Sequence, residues 1–141
     1  MGAQTDEILK EIKKGTVNEN NVDFIDENTV RQEIREKINA DTDYDSMSKF
    51  AIECSINPSH LSDFFNNGKN LGRNKLLAVL INLKYDLESI QSMLSRFGIS
   101  PLYARNRRDF QIIIGIRNGK SLDDIDVILR QKNFEPIIPN K

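Results

Sequence analysis

The segment covering residues 47–68 constrains the fold of this chain more than any other feature. It contains two short amphipathic stretches separated by a three-residue turn, and the second stretch opens with Asn57 followed by Pro58. Asparagine is a favoured helix cap, and proline suits the first position of a helix. A third amphipathic stretch covers residues 73–83. Three short helices with a tight turn between the first two are typical of a helix-turn-helix.

Small and aliphatic residues within this segment stand where that arrangement requires them. Ala51 lies where the second helix packs directly over the first, and Ile56 is an aliphatic plug that follows the turn. Ser55 occupies the turn position, which is commonly glycine in such proteins. If Ser55 takes a positive φ, the conformation costs on the order of 1 kcal/mol or more.

The other periodic segments also predict helices, and none alternates as a half-buried strand does. We predict a short helix over residues 6–14, a linker over 15–27 and a helix over 29–39. The helix predicted over residues 105–117 is apolar almost all round, and we expect it to be the central buried helix. The segments on either side of it repeat each other at an offset of 35 residues, with Leu87, Ile90, Leu94, Gly98 and Leu102 aligned with Leu122, Ile125, Leu129, Asn133 and Ile137.

These elements predict an all-α fold of about eight helices built around one modest core. The chain has 141 residues, of which 38% are hydrophobic, so two large cores are excluded. We divide it into an N-terminal helical arm and linker (1–40), a helix-turn-helix core (41–84) and a C-terminal extension packed on the core (85–141). That extension carries the pair of similar helices.

The residue inventory argues against catalysis, a metal or a cofactor. His60 is the single histidine and Cys54 the single cysteine, so neither a transition-metal site nor a Cys–His pair can be completed. No glycine-rich loop is present to hold phosphates. No apolar run approaches the roughly 20 residues that cross a bilayer, and the N-terminus has no signal-peptide pattern. We therefore expect a cytoplasmic protein that is not an enzyme.

The motif residues resemble the Cro/cI-like (XRE-type) family of helix-turn-helix transcriptional regulators. Asn57-Pro58-Ser59-His60-Leu61-Ser62 is similar to the start of that family's recognition helix, and Asn67-Gly68-Lys69 to the loop after it. A subset of the family from Gram-positive bacteria, which carries a C-terminal helical extension, resembles nearly the whole chain. The resemblance implies a lambda-repressor-like core and a small regulatory protein. Its later part is carried by Leu102-Tyr103-x-Arg105-Asn106-x-Arg108-Asp109 and Ser121-Leu122-Asp123-Asp124.

The leading hypothesis is that the helix over residues 58–66 enters the major groove of double-stranded DNA. Serine, asparagine and neutral histidine side chains can hydrogen-bond base edges, and lysine and arginine can contact phosphates. Because operators are usually two-fold, a homodimer is expected. The candidate DNA-binding residues are Lys49, Asn57, Ser59, His60, Ser62, Asp63, Asn66, Lys69, Asn70, Arg73 and Lys75.

Charge is the main objection to this hypothesis. Residues 41–83 carry four basic and five acidic side chains, and Asp63 lies on the proposed reading face. The alternative is a protein-interaction adaptor that uses the same helix, with Phe64 and Phe65, and does not bind specific DNA. A second basic cluster could bind an anion or an acidic partner, or could pair internally with Asp109; its members are Arg105, Arg107 and Arg108.

Overall fold

A computed structural model describes residues 27–41, 44 and 46–139, and this part of the chain contains seven helices and no strand. The all-α prediction is therefore confirmed for the described residues. The helix predicted over residues 6–14 lies outside the described residues, and so does the linker predicted over 15–27, except for Glu27. The helices are α1 (Glu27–Ala40), α2 (Met47–Glu53), α3 (Pro58–Asn66), α4 (Arg73–Asn82), α5 (Leu87–Arg96), α6 (Arg107–Arg117) and α7 (Leu122–Gln131).

Local capping chemistry positions α3 as the sequence predicts. The Asn57 side-chain oxygen accepts a hydrogen bond from the Ser59 backbone N–H at 2.9 Å, and Pro58 occupies the first turn of the helix. The preceding turn passes through Ser55, whose φ is +54°. The Ile56 N–H then donates to the Ala51 carbonyl at 2.9 Å. Ser55 therefore adopts the left-handed conformation that the sequence left open.

The central buried helix is α4, and the prediction that residues 105–117 would fill that role is wrong. All residues from 76 to 81 in α4 are buried. In α6, by contrast, Phe110 and Ile114 are 39% and 40% exposed, and Ile112 is the isoleucine of this helix that is fully buried. Apolar side chains on every face of a helix make full burial favourable, but burial also requires neighbouring elements on every side. Among the described residues, nothing covers the outer face of α6.

The 35-residue repeat that the sequence shows in α5 and α7 extends over two whole helical hairpins. We define hairpin 1 as residues 73–102 and hairpin 2 as residues 108–137. Both second helices stop at a left-handed residue, Gly98 with a φ of +70° and Asn133 with a φ of +62°. The next N–H in each hairpin donates back into its helix, at 2.9 Å from Ile99 to the Leu94 carbonyl and at 2.8 Å from Phe134 to the Leu129 carbonyl.

Side-chain contacts follow the same offset. An arginine at the start of the first helix in each hairpin donates from its guanidinium to two carbonyl oxygens in the segment after the second helix. The same contact at the same spacing indicates a common hairpin structure. The donor–acceptor sets are Arg73 with Ser100 and Pro101, and Arg108 with Glu135 and Pro136.

The two hairpins are joined by a reciprocal pair of polar contacts. Arg73 donates to both carboxylate oxygens of Asp109, at 3.2 and 2.9 Å, while Arg108 donates to the Asn74 side-chain oxygen at 3.0 Å. Asn74 and Asp109 are themselves 35 residues apart. Burial by itself raises the pKa of Asp109, but hydrogen bonds from Arg73 and the Tyr103 N–H outweigh it, so the net pKa is lowered.

Helix α1 covers one side of hairpin 1 and fixes the end of α3 against it. Its buried Arg31 guanidinium lies 5.1 Å from the Phe64 ring centroid and 5.2 Å from that of Phe97. The same guanidinium donates to the Gly68 carbonyl at 3.1 Å and to the Asn70 side-chain oxygen. One apolar core runs from α1 through both hairpins to Ile138.

Candidate nucleic-acid interface

The outer edge of α3 is polar and faces away from the core. Leu61 and Phe64 anchor the opposite face of the helix and are buried. His60 is exposed, and so are Ser59, Ser62 and Asn66. The anchor residues point one way and the hydrogen-bonding residues the other, as the amphipathic pattern predicts. Among the residues that the structure describes, none covers this edge.

A shallow hollow of about 260 Å³ lies beside this edge. Lys69 from the loop after α3 and Lys75 from the first turns of α4 both line it, together with His60. Within the described part of the chain, the Lys75 ammonium makes no ion pair. We call this cavity the α3 hollow; its lining residues are His60, Asp63, Lys69, Asn70, Leu71, Gly72 and Lys75.

Asp63 also lines the α3 hollow, and its charge is partly balanced there. Its carboxylate accepts a hydrogen bond from the Asn67 side-chain nitrogen at 2.7 Å and lies 3.8 Å from the Lys69 ammonium. The pair is exposed to solvent, so its contribution to stability is small. The negative charge of Asp63 therefore offsets part of the positive charge of Lys69, which reduces the positive potential of the edge.

Arg73 does not lie on this surface, which removes it from the candidate phosphate contacts. Its guanidinium turns toward hairpin 2, where Asp109 and two backbone carbonyls take its donors. A carboxylate that binds both ends of the guanidinium holds it more tightly than solvent does. Lys49 is exposed on α2, and it does not line the α3 hollow.

The candidate asparagines serve mainly to position the site. Asn57 caps α3, and Asn70 accepts from the buried Arg31. Asn66 bridges two neighbours: its oxygen accepts from Arg35 at 3.2 Å, and its nitrogen donates to the Ser62 hydroxyl at 3.1 Å. These side chains therefore set the shape of the edge and of the loop beside it.

Arg35 is a cation of this surface that the sequence analysis missed. Its guanidinium lies 5.7 Å from the Phe65 ring centroid and contacts Asn66 at the end of α3. It belongs to α1, 31 residues before its partner, so no local pattern links the two. The spacing of Arg31 and Arg35, one helical turn apart on the same helix, was the available signal.

The three arginines of the second basic cluster do not lie on one surface. Arg108 turns inward, and its pKa is lowered because burial disfavours the charged form. It is thus not available as an anion ligand. Arg105 and Arg107 are exposed and line a different hollow. The alternative, an internal pairing of these arginines with Asp109, is not observed, since the Asp109 carboxylate pairs with Arg73.

The described residues offer no reactive thiol and no group of side chains that could hold a metal ion. Burial raises the pKa of the Cys54 thiol to about 12, so this cysteine is a packing residue with little thiolate. The described residues contain no cluster of three or more histidine, cysteine or acidic side chains that could hold a metal ion. No helix within residues 27–139, where described, is long and apolar enough to cross a bilayer.

Comparison of the chain with protein-family models, with curated proteins and with solved structures found no significant match. Functional conclusions for this protein are therefore drawn from the residues and their geometry.

Proposed function

We propose that this protein is a cytoplasmic transcriptional regulator of the Cro/cI-like type that binds double-stranded DNA as a homodimer, with the outer edge of α3 in the major groove. The observation that carries the proposal is the α3 hollow, where His60 lies beside Lys69 and Lys75 on an exposed helix edge. A groove-binding helix needs hydrogen-bonding side chains toward the bases and cations toward the phosphates. This edge offers both.

Each residue has a distinct part in the proposed complex. His60, with Ser59 and Ser62, contacts base edges, whereas Lys69 and Lys75 contact phosphates. The left-handed turn at Ser55 and the cap at Asn57 hold α3 at a fixed angle to α2. In the proposed complex Asp63 accepts from a cytosine amine, which is the base contact that a carboxylate favours.

The number of cations sets the expected affinity. Lys69 and Lys75 line the α3 hollow, and Arg35 contacts the end of α3. These three cations supply about three phosphate contacts per chain, which corresponds to a salt slope of about −2.7. A homodimer doubles this number to about six contacts, which is within the range of proteins that lose several orders of magnitude in affinity at raised salt. Dimerisation is therefore required for tight binding.

The experiment is a fluorescence-anisotropy titration of the full-length chain against DNA from upstream of its own gene, at several salt concentrations. We expect His60→Ala to reduce discrimination between this DNA and a scrambled duplex. Lys69→Ala should weaken both duplexes alike and flatten the salt slope by about 1. Lys120→Ala, an exposed lysine between α6 and α7, is the matched control and should leave binding unchanged.

A protein-interaction adaptor is the second candidate, and two observations favour it. Asp63 remains on the α3 edge, and Arg73, one of the cations that the sequence offered for this edge, instead pairs with Asp109 in hairpin 2. Binding that shows no preference for the upstream DNA over the scrambled duplex, and that disappears at physiological salt, would support the adaptor and contradict the regulator.

A further inference from the structure

A second hollow lies on hairpin 2, and its lining combines positive charge with aromatic surface. Its volume is about 450 Å³, and no carboxylate lines it. Phe110 is 39% exposed, and together with Phe134 it gives the hollow an aromatic surface. We call it the hairpin 2 hollow; its lining residues are Ala104, Arg105, Arg107, Phe110, Gln111, Lys132 and Phe134.

Another part of the chain occupies only part of the corresponding place on hairpin 1. The rest of it is the α3 hollow, because Ala104, Arg105, Arg107 and Phe110 correspond at the 35-residue offset to Lys69, Asn70, Gly72 and Lys75. The residue 35 positions before Lys132 is Phe97, and the Phe64 ring from the end of α3 lies 5.4 Å from it. The Arg31 guanidinium from α1 lies above the Phe97 ring and donates to Asn70, which is 35 positions before Arg105. The Phe64 ring of α3 and the Arg31 guanidinium of α1 therefore cover Phe97 in hairpin 1.

Two of the corresponding positions differ in charge. Hairpin 1 and the loop before it present the Phe97 ring and the Asn70 oxygen to a cation, whereas hairpin 2 and the loop before it present the cations Lys132 and Arg105. Arg105, Arg107 and Lys132 are exposed, and within the described residues none of them makes an ion pair. A group that complements these three cations is anionic, whereas the group that α1 supplies to hairpin 1 is the cation Arg31.

We propose that the hairpin 2 hollow binds an acidic peptide segment of a partner protein. An aromatic or aliphatic side chain of that segment packs against Phe110 and Phe134, and its carboxylates pair with Arg105, Arg107 and Lys132. A peptide is favoured over a nucleic acid because the equivalent place on hairpin 1 takes a side chain from a helix. The inference does not depend on DNA binding by α3, since the two hollows have no lining residue in common.

The test is a fluorescence-anisotropy titration of the full-length protein with a fluorescein-labelled peptide, Glu-Glu-Phe-Leu-Glu-Glu. A second peptide with glutamine in place of every glutamate controls for the carboxylates. We expect saturable binding of the acidic peptide. Phe110→Ala and Lys132→Glu should each weaken it at least about tenfold. Lys120→Glu makes the same charge change on an exposed lysine outside the hollow and should weaken it less than about twofold, with circular dichroism confirming that each variant is folded.

Three results would overturn the proposal. The first is no saturable binding of the acidic peptide to the wild-type protein, and the second is equal binding of the glutamine peptide. The third is displacement of the peptide by a short oligothymidylate that binds more tightly and is also sensitive to Phe110→Ala, which would assign the hollow to single-stranded nucleic acid. Lys69→Ala should not change peptide binding, so this test and the DNA titration can fail independently.

Discussion

Hairpin 1 and hairpin 2 have the same internal contacts, but they differ in what covers them. Val79 of α4 is fully buried, while Ile114, the residue 35 positions later in α6, is 40% exposed. The difference arises because α1, α2 and α3 pack on hairpin 1, and no described element packs on the same face of hairpin 2. The comparison teaches that burial of an apolar helix depends on its neighbours as well as on its own residues.

The polar junction between the hairpins shows a second difference. Position 74 carries a neutral amide, whereas position 109 carries a carboxylate. As a result, the Arg73–Asp109 contact is a charged pair with two hydrogen bonds, and its counterpart between Arg108 and Asn74 is a single bond to an amide. One half of an otherwise matched junction therefore carries more of its free energy.

The largest effect should come from breaking the charged half of the junction. We expect Asp109→Ala to lower the free energy of unfolding by about 3 kcal/mol, because it leaves Arg73 without its carboxylate and the Tyr103 N–H without an acceptor. Asn74→Ala removes the matched contact and should cost about 1 kcal/mol. Urea denaturation of both variants measures the difference, and equal losses would show that the junction is not asymmetric.

A smaller effect is expected where the two hairpins differ in burial. Val79→Ala should destabilise the protein by about 2 kcal/mol, because it leaves a cavity in a closed core. Ile114→Ala removes more carbon atoms, yet it should cost less than about 1 kcal/mol because the side chain is partly in solvent. Thermal unfolding of the two variants provides the measurement. A loss at Ile114 as large as that at Val79 would mean that this face is covered in solution.

Local chemistry could be predicted from the sequence. Asn57 and Pro58 marked the start of α3 because a cap and a first-turn proline act within a few residues of each other. The position of the turn at Ser55 was predicted for the same kind of reason, whereas its positive φ was not. The outward polar edge of α3 also followed from its amphipathic pattern, since Leu61 and Phe64 could only anchor the opposite face.

Contacts between distant segments could not be predicted in this way. Arg73 was placed on the DNA-facing surface, yet its partner Asp109 lies 36 positions later and only the packing of the two hairpins brings them together. The exposure of α6 escaped prediction for a related reason. Periodicity shows which residues gain from burial, but it does not show whether another element is present to cover them.

The last prediction concerns acid, and it tests whether the charge of Asp109 distinguishes the two halves of the junction. The folded protein lowers the pKa of Asp109 below its unfolded value, so the ionised carboxylate stabilises the fold. That stabilisation is complete above the unfolded pKa of about 3.9 and is lost as the pH falls through the lower, folded pKa. Wild-type protein should therefore lose stability more steeply below about pH 4 than Asp109→Asn.

Chemical denaturation from neutral pH down to the acid limb measures this difference in slope. The Asn variant keeps an oxygen that can accept from Arg73 or from the Tyr103 N–H, so its loss at neutral pH should be smaller than that of the Ala variant. Asp86→Asn is the control. Hydrogen bonds from Ser89 also lower the pKa of this exposed cap of α5, but solvent screens its charge, so its acid slope should stay near that of wild type. If Asp109→Asn and Asp86→Asn change the slope equally, the acid sensitivity is a general property of the surface carboxylates. The junction then owes its strength to hydrogen bonding, without a specific contribution from the charge of Asp109.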